Sequence, residues 1–385
     1  MAITTTSTST HTLSMPQAST LSRRLVEWFG DHQRDLPWRQ DPSPYRVWIS
    51  EIMLQQTQVD RVVPYFQNWM DIFPHPRAVA EAPEDRVLKA WEGLGYYSRA
   101  KNIHAAAGTV CSMHNGQLPA DVPSLRALPG IGPYTAAAIA SLAFNQSVSV
   151  VDANVQRVIA RLLNISEPIK SSSVQTKVHS AVQAMLASAE PRSLNQGLME
   201  LGALVCLPRT PACSACPLRG RCVSLAAGEV HLRPVLPPRK ASTAIQVAAG
   251  VLADNGRILI QKRPAQGLMA NLWEFPGGKV HSGESPEEAL VREFMEELEL
   301  QVRVLDKITV IKHSYTTFRV TLHVYWCTLA RPGQKPILHA ATDIHWVLPQ
   351  ELTHYPFPAA DRTLIQILEH GRIQDAANIG PSPHP

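Results

Sequence analysis

Four cysteines within seventeen residues constrain this chain more than any other feature of its sequence. They form a C-x6-C-x2-C-x5-C run made of Cys206, Cys213, Cys216 and Cys222. Thiolates this close in sequence can surround one inorganic centre, and a [4Fe–4S] cluster takes four cysteine ligands. Structural zinc prefers paired C-x2-C knuckles, whereas this run has one such pair. The spacing therefore favours an iron–sulfur loop at 206–222 over a zinc site or ordinary buried thiols.

The pattern of apolar residues divides the rest of the chain into two domains. Between 21 and 226 apolar side chains recur at helical spacing, which predicts helices almost throughout. Prolines interrupt this pattern at 227–242, where we predict a semi-rigid linker. Residues 243–370 carry short β-branched and aromatic runs separated by turn residues. We therefore predict a multidomain chain, in which an all-α domain that includes the cysteine loop precedes an α+β domain.

The two ends of the chain, its apolar runs and its charge indicate its compartment and the kind of partner it binds. Residues 1–20 are rich in Ser and Thr, residues 371–385 are rich in Pro and Gly, and we predict flexible tails at both ends. No run of eighteen apolar residues occurs, which excludes a membrane span, so we expect a cytoplasmic protein with reduced or metal-bound cysteines. The net charge is +4, and the whole excess lies before residue 237. This is mild evidence for a polyanionic partner of the first domain.

A glycine-rich turn, Leu128-Pro129-Gly130-Ile131-Gly132-Pro133, joins two of the helical patterns. Gly130 and Gly132 permit positive φ and carry no side chain, so backbone N–H groups can approach an anion there. Pro133 then opens the next helix, aiming its N-terminus at the same point. Taken alone, the turn could be a plain helix–helix connection. Together with the cysteine run, it predicts a grip on the DNA backbone.

These features resemble a known superfamily. The Leu-Pro-Gly-Ile-Gly turn, Asp152 in Val-Asp-Ala-Asn-Val and the cysteine loop are similar to those of helix-hairpin-helix DNA glycosylases. Within that superfamily, Leu36–Arg39, Ser50–Val59 and Gly93–Tyr97 resemble the MutY-type adenine DNA glycosylases. The resemblance implies a base-excision repair enzyme with a [4Fe–4S] cluster. It implies a monomer, associated with the nucleoid through DNA, that flips out and hydrolyses adenine mispaired with 8-oxoguanine or guanine in double-stranded DNA.

The reaction places particular demands on the catalytic residues. Breaking an N-glycosidic bond leaves positive charge on the sugar and negative charge on the purine, so an acid and a carboxylate are needed. Glu51 is the candidate acid, because it lies at the edge of an apolar helical arc, where a carboxyl pKa is raised. Asp152 is the candidate carboxylate, although locally it could be only the N-cap of the next helix. The resemblance implies that Glu51 protonates adenine N7, that Asn154 orients Asp152, and that Tyr134 borders the flipped nucleotide.

Tyr134 also separates two classes within the superfamily. Relatives of the endonuclease III type, which cut the strand as well, carry a lysine at this place, and its amine can form a Schiff base with the sugar. A phenol cannot do so, which predicts a monofunctional glycosylase that leaves an abasic site. The resemblance further implies a set of DNA or adenine contacts, some of which could instead be core residues: Trp38, Arg39, Gln56, Thr57, Leu94, Tyr96, Gly130, Gly132 and Gln196.

A second motif lies in the α+β domain. Gly278-x5-Glu284-x7-Arg292-Glu293-x2-Glu296-Glu297 resembles the Nudix box. Glu293, Glu296 and Glu297 share one helix face, and such a cluster repels itself unless a cation such as Mg²⁺ binds there. A solvated acidic helix is the alternative. Glu299 stands where the box has Gly, and a positive φ at that place would cost about 1–2 kcal/mol.

Two further segments bear on the ligand of this domain. Leu272–Lys279 and Phe357–Asp361 are similar to MutT-type 8-oxo-dGTP hydrolases. His313–Thr317 resembles the 8-oxoguanine-sensing loop of MutY-type proteins, with Thr316 as a candidate contact and Asp361 as another. The domain is therefore predicted to recognise 8-oxoguanine, to hydrolyse 8-oxo-dGTP with Mg²⁺, or to do both.

Overall fold

The structure, a computed structural model, describes residues 13–238, 243–315 and 318–370. Thr316, most of the predicted N-terminal tail and the whole predicted C-terminal tail lie outside these ranges. Helix α1 begins at Met15, within the stretch predicted as a tail. It begins there because the Ser14 N–H donates to Gln17 Oε1 at 3.0 Å and Ala18 is fully buried.

Helices account for most of the chain before the prolines. In chain order they are α1 (Met15–His32), α2 (Pro37–Gln40), α3 (Pro44–Met53), α4 (Val59–Ile72), α5 (Pro76–Ala80), α6 (Glu84–Trp91), α7 (Ser98–Met113), α8 (Val122–Ala127), α9 (Pro133–Leu142), α10 (Ala153–Leu162), α11 (Ser172–Leu186), α12 (Pro191–Leu204) and α13 (Val223–Ala226). Short 3-10 turns lie at Cys213–Ala215, Arg219–Arg221 and Val230–Leu232. The helical prediction for the first domain is confirmed.

The described residues form two compact units, and their division differs from the predicted one by a single segment. The first unit comprises residues 13–80 and 105–238, and the second comprises 81–104 and 243–370. Helix α6 and the start of α7 therefore pack with the sheet domain, although the sequence places them inside the helical one. Long-range packing decides which unit a helix joins, and helical periodicity in the sequence carries no information about that packing.

The core of the first unit is built from amphipathic helices. Leu21 and Leu25 of α1 pack with Val158 of α10, and α11 and α12 complete the same cluster. The first part of the predicted linker is held against this unit, because Arg161 Nε donates to the Val230 and Arg233 carbonyls, each at 3.0 Å. Among the described residues, no helix is both long and apolar enough to cross a membrane.

The glycine-rich turn connects α8 to α9. Gly130 has a φ of 72°, in the left-handed region that favours glycine. Gly132 has a φ of −80° and caps α9, so positive φ is not what this position requires. A Cβ at Gly132 would have nothing within 4 Å, and the absence of a side chain leaves the N-terminus of α9 open. The turn therefore leads directly into the N-terminus of α9, and its grip on an anion stays a prediction.

The second unit is a mixed sheet with a helix on each face. Besides α6 and the start of α7, its elements are β1 (Thr243–Asp254), β2 (Arg257–Lys262), β3 (Trp273–Glu274), β4 (Gly277–Lys279), α14 (Pro286–Leu298), β5 (Val302–Ser314), β6 (Phe318–Leu329), β7 (Asp343–Val347), a 3-10 turn (Pro349–His354) and α15 (Ala359–His370). The strand order is β3-β2-β1-β6-β5, with β4 paired to β1 and β7 paired to β2. Strand β1 runs parallel to β6 and antiparallel to β2 and β4.

Alternation along β1 assigns its two faces. Ala248 and Leu252 pack with Phe294 of α14, whereas Ala249 and Val251 pack with Leu364 of α15. A reciprocal capping box starts α14, since the Glu288 N–H donates to Ser285 Oγ at 3.1 Å and the Ser285 N–H donates to Glu288 Oε2 at 2.8 Å. The predicted fold class, helical then sheet-containing, is confirmed.

Candidate active site and metal-binding positions

The candidate acid, Glu51, lies on α3 and contacts the start of α9, which follows the glycine-rich turn. Glu51 is 4% exposed, and Tyr134 at the start of α9 donates its hydroxyl to Glu51 Oε2 at 2.9 Å. Burial raises the pKa of Glu51 to about 7, and the negative charge of Asp152 adds to the rise. The Tyr134 hydrogen bond and the Arg39 charge act in the opposite direction. A carboxyl of this kind holds a proton close to neutral pH.

Asp152 occupies the N-cap of α10 and lines the same cleft. Its Oδ1 accepts the Val155 N–H at 2.7 Å, and its Oδ2 accepts from Asn154 Nδ2 at 2.8 Å. Asn154 is held in turn by Arg157, whose Nη2 donates to Asn154 Oδ1 at 2.7 Å. Burial raises the pKa of Asp152, and these hydrogen bonds oppose that effect. Asp152 is both a helix N-cap and part of the cleft lining, so its capping role does not exclude a role in the cleft.

One cleft of about 380 Å³ brings most of the predicted site residues together. Its size suits a base or a nucleoside fragment. The predicted residues that line it are Trp38, Arg39, Glu51, Gln56, Thr57, Tyr134, Asp152, Asn154 and Gln196. Leu94 and Tyr96 belong to the second unit, and Gly130 and Gly132 form the hairpin turn.

Sequence reasoning missed the ion pairs at the edge of this cleft. Glu200 of α12 is 1% exposed and accepts from both Arg34 and Arg39. Arg34 Nη2 lies 2.7 Å and Arg39 Nη2 lies 2.9 Å from Glu200 Oε2. Burial acts to raise the pKa of Glu200, but the two arginines outweigh it and hold that pKa at about 2. A signal was available, because Glu200 lies one helical turn after Gln196 and is the one charged residue in the otherwise apolar stretch 197–204.

The four cysteines of the loop surround one small apolar cavity of about 30 Å³. Arg161 Nη1 donates to Cys206 Sγ at 3.3 Å, and the thiol of Cys222 donates to the Arg161 carbonyl at 3.4 Å. Among the described residues, no three His, Cys, Asp or Glu side chains are grouped closely enough to hold a metal ion. The lining nevertheless contains thiols as its only metal-ligating groups, with no histidine or carboxylate. This donor set fits an iron–sulfur cluster.

A second cleft, of about 410 Å³, lies in the sheet unit. Glu293 and Glu297 of the Nudix-like box line it, together with Asp361. Glu296 does not, because its side chain is 58% exposed and pairs with Arg292 at 3.0 Å. Burial raises the pKa of Glu297 and that of Asp361 to about 7 each.

The substituted position of the box is strained, as the sequence predicts. Glu299 follows α14 with a φ of 52° and a ψ of 28°, which is the left-handed conformation. Its Oε1 lies 2.7 Å from His339 Nε2. Helix α14 therefore ends at Leu298, and the backbone of Glu299 takes the strained positive φ.

Comparison with known proteins agrees with this architecture. The family model described as HhH-GPD superfamily base excision DNA repair protein matches residues 49–184, and the NUDIX domain model matches residues 247–366. A solved thermostable thymine-DNA glycosylase superposes with a TM-score of 0.50 at 27% identity, over 55% of this chain and 97% of that one. The fold and the cleft define a helix-hairpin-helix glycosylase of base-excision repair that carries a Nudix domain.

Curated relatives narrow the class further. The chain is 33% identical to the adenine DNA glycosylase of Homo sapiens, over 85% of this chain and 70% of that protein. It is also 33% identical to the adenine DNA glycosylase of Rattus norvegicus, over 91% of this chain and 78% of that protein. The chain belongs to the adenine DNA glycosylase family and is a DNA N-glycosylase.

Proposed function

We propose that this glycosylase removes adenine mispaired with 8-oxoguanine or guanine in double-stranded DNA and leaves the strand uncut. The observation that carries the proposal is the hydrogen bond between Tyr134 and the buried Glu51, in the cleft that also contains Asp152. Two carboxyl groups with different surroundings in one cleft suit the acid and the electrostatic partner of glycosidic cleavage.

The two carboxyl groups divide the work. Glu51, protonated near neutral pH, delivers its proton to N7 of the flipped adenine and so neutralises the departing base. Asp152 stabilises the cationic sugar, while Asn154 and the Val155 N–H keep both of its oxygens in place. Because Arg157 fixes Asn154, the orientation of Asp152 is set before DNA arrives.

The adenine pocket is shaped by α2 and α12. Glu200 holds the guanidinium group of Arg39, which therefore presents a fixed donor set rather than a flexible charge. Gln196, 9% exposed, offers an amide that can donate to or accept from a base edge. Together they suit recognition of a purine that has left the helical stack.

Tyr134 supports the monofunctional assignment. Burial raises the pKa of its phenol well above the usual value, and the neighbouring carboxyl groups add to the rise. Among the described residues that line the cleft, none is a lysine. An amine able to attack the sugar is therefore not supplied from the cleft lining.

Elements outside the cleft bind the DNA backbone without reading its sequence. The open N-terminus of α9 and the turn at Gly130 offer backbone N–H groups to one phosphate. Cys206, Cys213, Cys216 and Cys222 would hold a [4Fe–4S] cluster, which would fix loop 206–222 as a second DNA-contacting surface. Because both surfaces belong to one chain, the protein would bind duplex DNA as a monomer.

An A:8-oxoguanine duplex tests the proposal. The protein should release adenine and leave a site that breaks only after alkali, while borohydride should trap little covalent adduct. Glu51→Gln is the control, since it keeps the cleft but cannot supply the proton. Strand breaks without alkali, or efficient trapping, would contradict the monofunctional assignment.

The sheet domain supports a second candidate activity, Mg²⁺-dependent hydrolysis of 8-oxo-dGTP, alongside recognition of 8-oxoguanine in DNA. Glu293 packs so closely against Gly278 that a Cβ there would lie 2.1 Å from Glu293 Oε1. Carboxylates such as Glu293 and Glu297 are ligands that Mg²⁺ prefers, and the metal would polarise a diphosphate. Glu297→Gln should abolish any hydrolysis in millimolar Mg²⁺ and spare adenine excision. Absence of hydrolysis in the wild type would leave only recognition.

A further inference from the structure

The segment Tyr355–Arg362 lies between two parts of the second unit, the sheet-domain cleft and residues 89–97. On one side, Pro358, Ala360 and Asp361 line the sheet-domain cleft. Asp361 Oδ1 accepts the Phe275 N–H at 3.4 Å, and the ring of Phe357 stacks on that of Phe275 at 5.6 Å. A ligand in the cleft therefore contacts this segment directly.

The other side of the segment holds residues 89–97. The Phe357 N–H donates to Glu92 Oε1 at 2.9 Å, and the Phe357 carbonyl accepts from Tyr97 Oη at 2.9 Å. Lys89 Nζ donates to the Tyr355 carbonyl at 3.0 Å and lies 2.7 Å from Glu92 Oε2. Both backbone polar groups of Phe357 are thus bound by two side chains, one from the residue before a single loop and one from the last residue of that loop.

That loop, Gly93–Tyr97, is held in an uncommon backbone conformation. Gly93, Gly95 and Tyr96 have φ values of 102°, 73° and 49°, and Tyr96 is 43% exposed. Arg99 Nη2 donates to the Leu94 and Gly95 carbonyls at 3.1 and 3.0 Å, and its guanidinium carbon lies 5.6 Å from the Tyr96 ring centroid. A non-glycine residue with positive φ persists only where its surroundings hold it, so the loop depends on its anchors.

We propose that Glu92 and Tyr97 are positioning residues that transmit occupancy of the sheet-domain cleft to the Gly93–Tyr97 loop. The inference rests on the proposed function, in which the cleft receives 8-oxoguanine, and on the DNA contacts that the sequence predicts for Leu94 and Tyr96. A purine that displaces Asp361 or Pro358 moves Phe357, and the two hydrogen bonds at Phe357 carry that displacement to both ends of the loop. Closely packed elements respond in this way because they change between discrete arrangements. Excision of adenine thereby becomes dependent on the opposite base.

Tyr97→Phe tests the coupling, because it removes one hydroxyl and keeps the ring. Single-turnover excision rates are measured on A:8-oxoguanine and A:G duplexes, and the ratio of the two rates is the readout. We expect the ratio to fall by about 2–10-fold, the effect of losing one buried hydrogen bond, while the A:G rate changes little. Glu92→Ala should lower the ratio in the same direction.

Tyr45→Phe is the matched control. Tyr45 is buried in the first unit, donates to the Phe73 carbonyl at 2.7 Å and accepts from Trp69 Nε1 at 3.0 Å. The Tyr97 hydroxyl likewise donates to one carbonyl and accepts one N–H, from Gly93 at 3.4 Å. Tyr45→Phe should lower stability and leave the ratio unchanged. An unchanged ratio in Tyr97→Phe, or an equal change in both variants, overturns the proposal.

Hydrogen exchange supplies a readout other than activity. In the full-length wild type, 8-oxo-dGMP should slow amide exchange at residues 93–97, and Tyr97→Phe should abolish this protection although the nucleotide still binds. If nucleotide binds and A:8-oxoguanine is preferred while Tyr97→Phe behaves as wild type, the coupling alone is refuted. If neither binding nor preference is found in the wild type, the proposed lesion recognition fails, and the coupling fails with it.

Discussion

Replacing Glu51 by Gln should inactivate the enzyme and stabilise the protein at the same time. Burial in the cleft raises the pKa of Glu51 from 4.5 to about 7. A difference of that size corresponds to about 3 kcal/mol by which folding favours the protonated carboxyl over the ionised one. Glutamine has the same shape and a carbonyl that can still accept from Tyr134, but it cannot ionise.

The sign of the pH dependence follows from the raised pKa. Below pH 4.5 the carboxyl is protonated in the folded and unfolded chains, and Glu51 does not oppose folding. As pH rises from 4.5 through about 7, the unfolded chain releases the proton first, so the wild type loses stability over this window. Above pH 7 the loss is complete. Glu51→Gln should therefore gain up to about 3 kcal/mol at pH 8 and almost nothing at pH 4.

Thermal unfolding of the two proteins at pH 5 and pH 8 measures this effect. We expect Tm of Glu51→Gln to exceed that of the wild type by several degrees at pH 8 and by much less at pH 5. Glu200→Gln is the control, because Glu200 is buried but has a pKa held at about 2 by Arg34 and Arg39. Its replacement should lower Tm at both pH values. If Glu51→Gln and Glu200→Gln change stability with the same sign, the assignment of Glu51 as a destabilised buried acid is wrong.

Three further predictions concern other residues. Asp152→Asn should reduce single-turnover excision by several orders of magnitude because the sugar cation loses its counter-charge, and a wild-type rate would leave Asp152 as a helix cap alone. Purified protein should be brown, with broad absorption at roughly 400 nm, and Cys216→Ser should lose the colour; a colourless, active wild type with one zinc would refute the cluster. Glu299→Gly should stabilise the sheet domain by about 1 kcal/mol in urea unfolding by relieving positive φ, and no gain would show that His339 compensates for the strain.

Local sequence was sufficient for several features that depend on a few neighbouring residues. The Gly130 turn and the Ser285 capping box form contacts within a few positions, so residue type and spacing predict them. The same holds for Asp152, whose cap reaches Val155 three residues on. The positive φ at Glu299 was predictable too, because the end of a helix imposes it at a fixed place.

Tertiary structure alone decided which distant groups meet. Tyr134 and Glu51 are 83 positions apart in sequence, and Arg34 and Glu200 are 166 apart, yet each pair is hydrogen-bonded. Packing of whole helices brings these side chains together and removes water from around both glutamates, so the charges of their neighbours decide which pKa rises and which falls. Buried without a full counter-charge, Glu51 has a raised pKa; buried between two arginines, Glu200 has a lowered one. Sequence marks both as glutamates, but the opposite shifts of their pKa values come from the neighbours that the fold assigns to them.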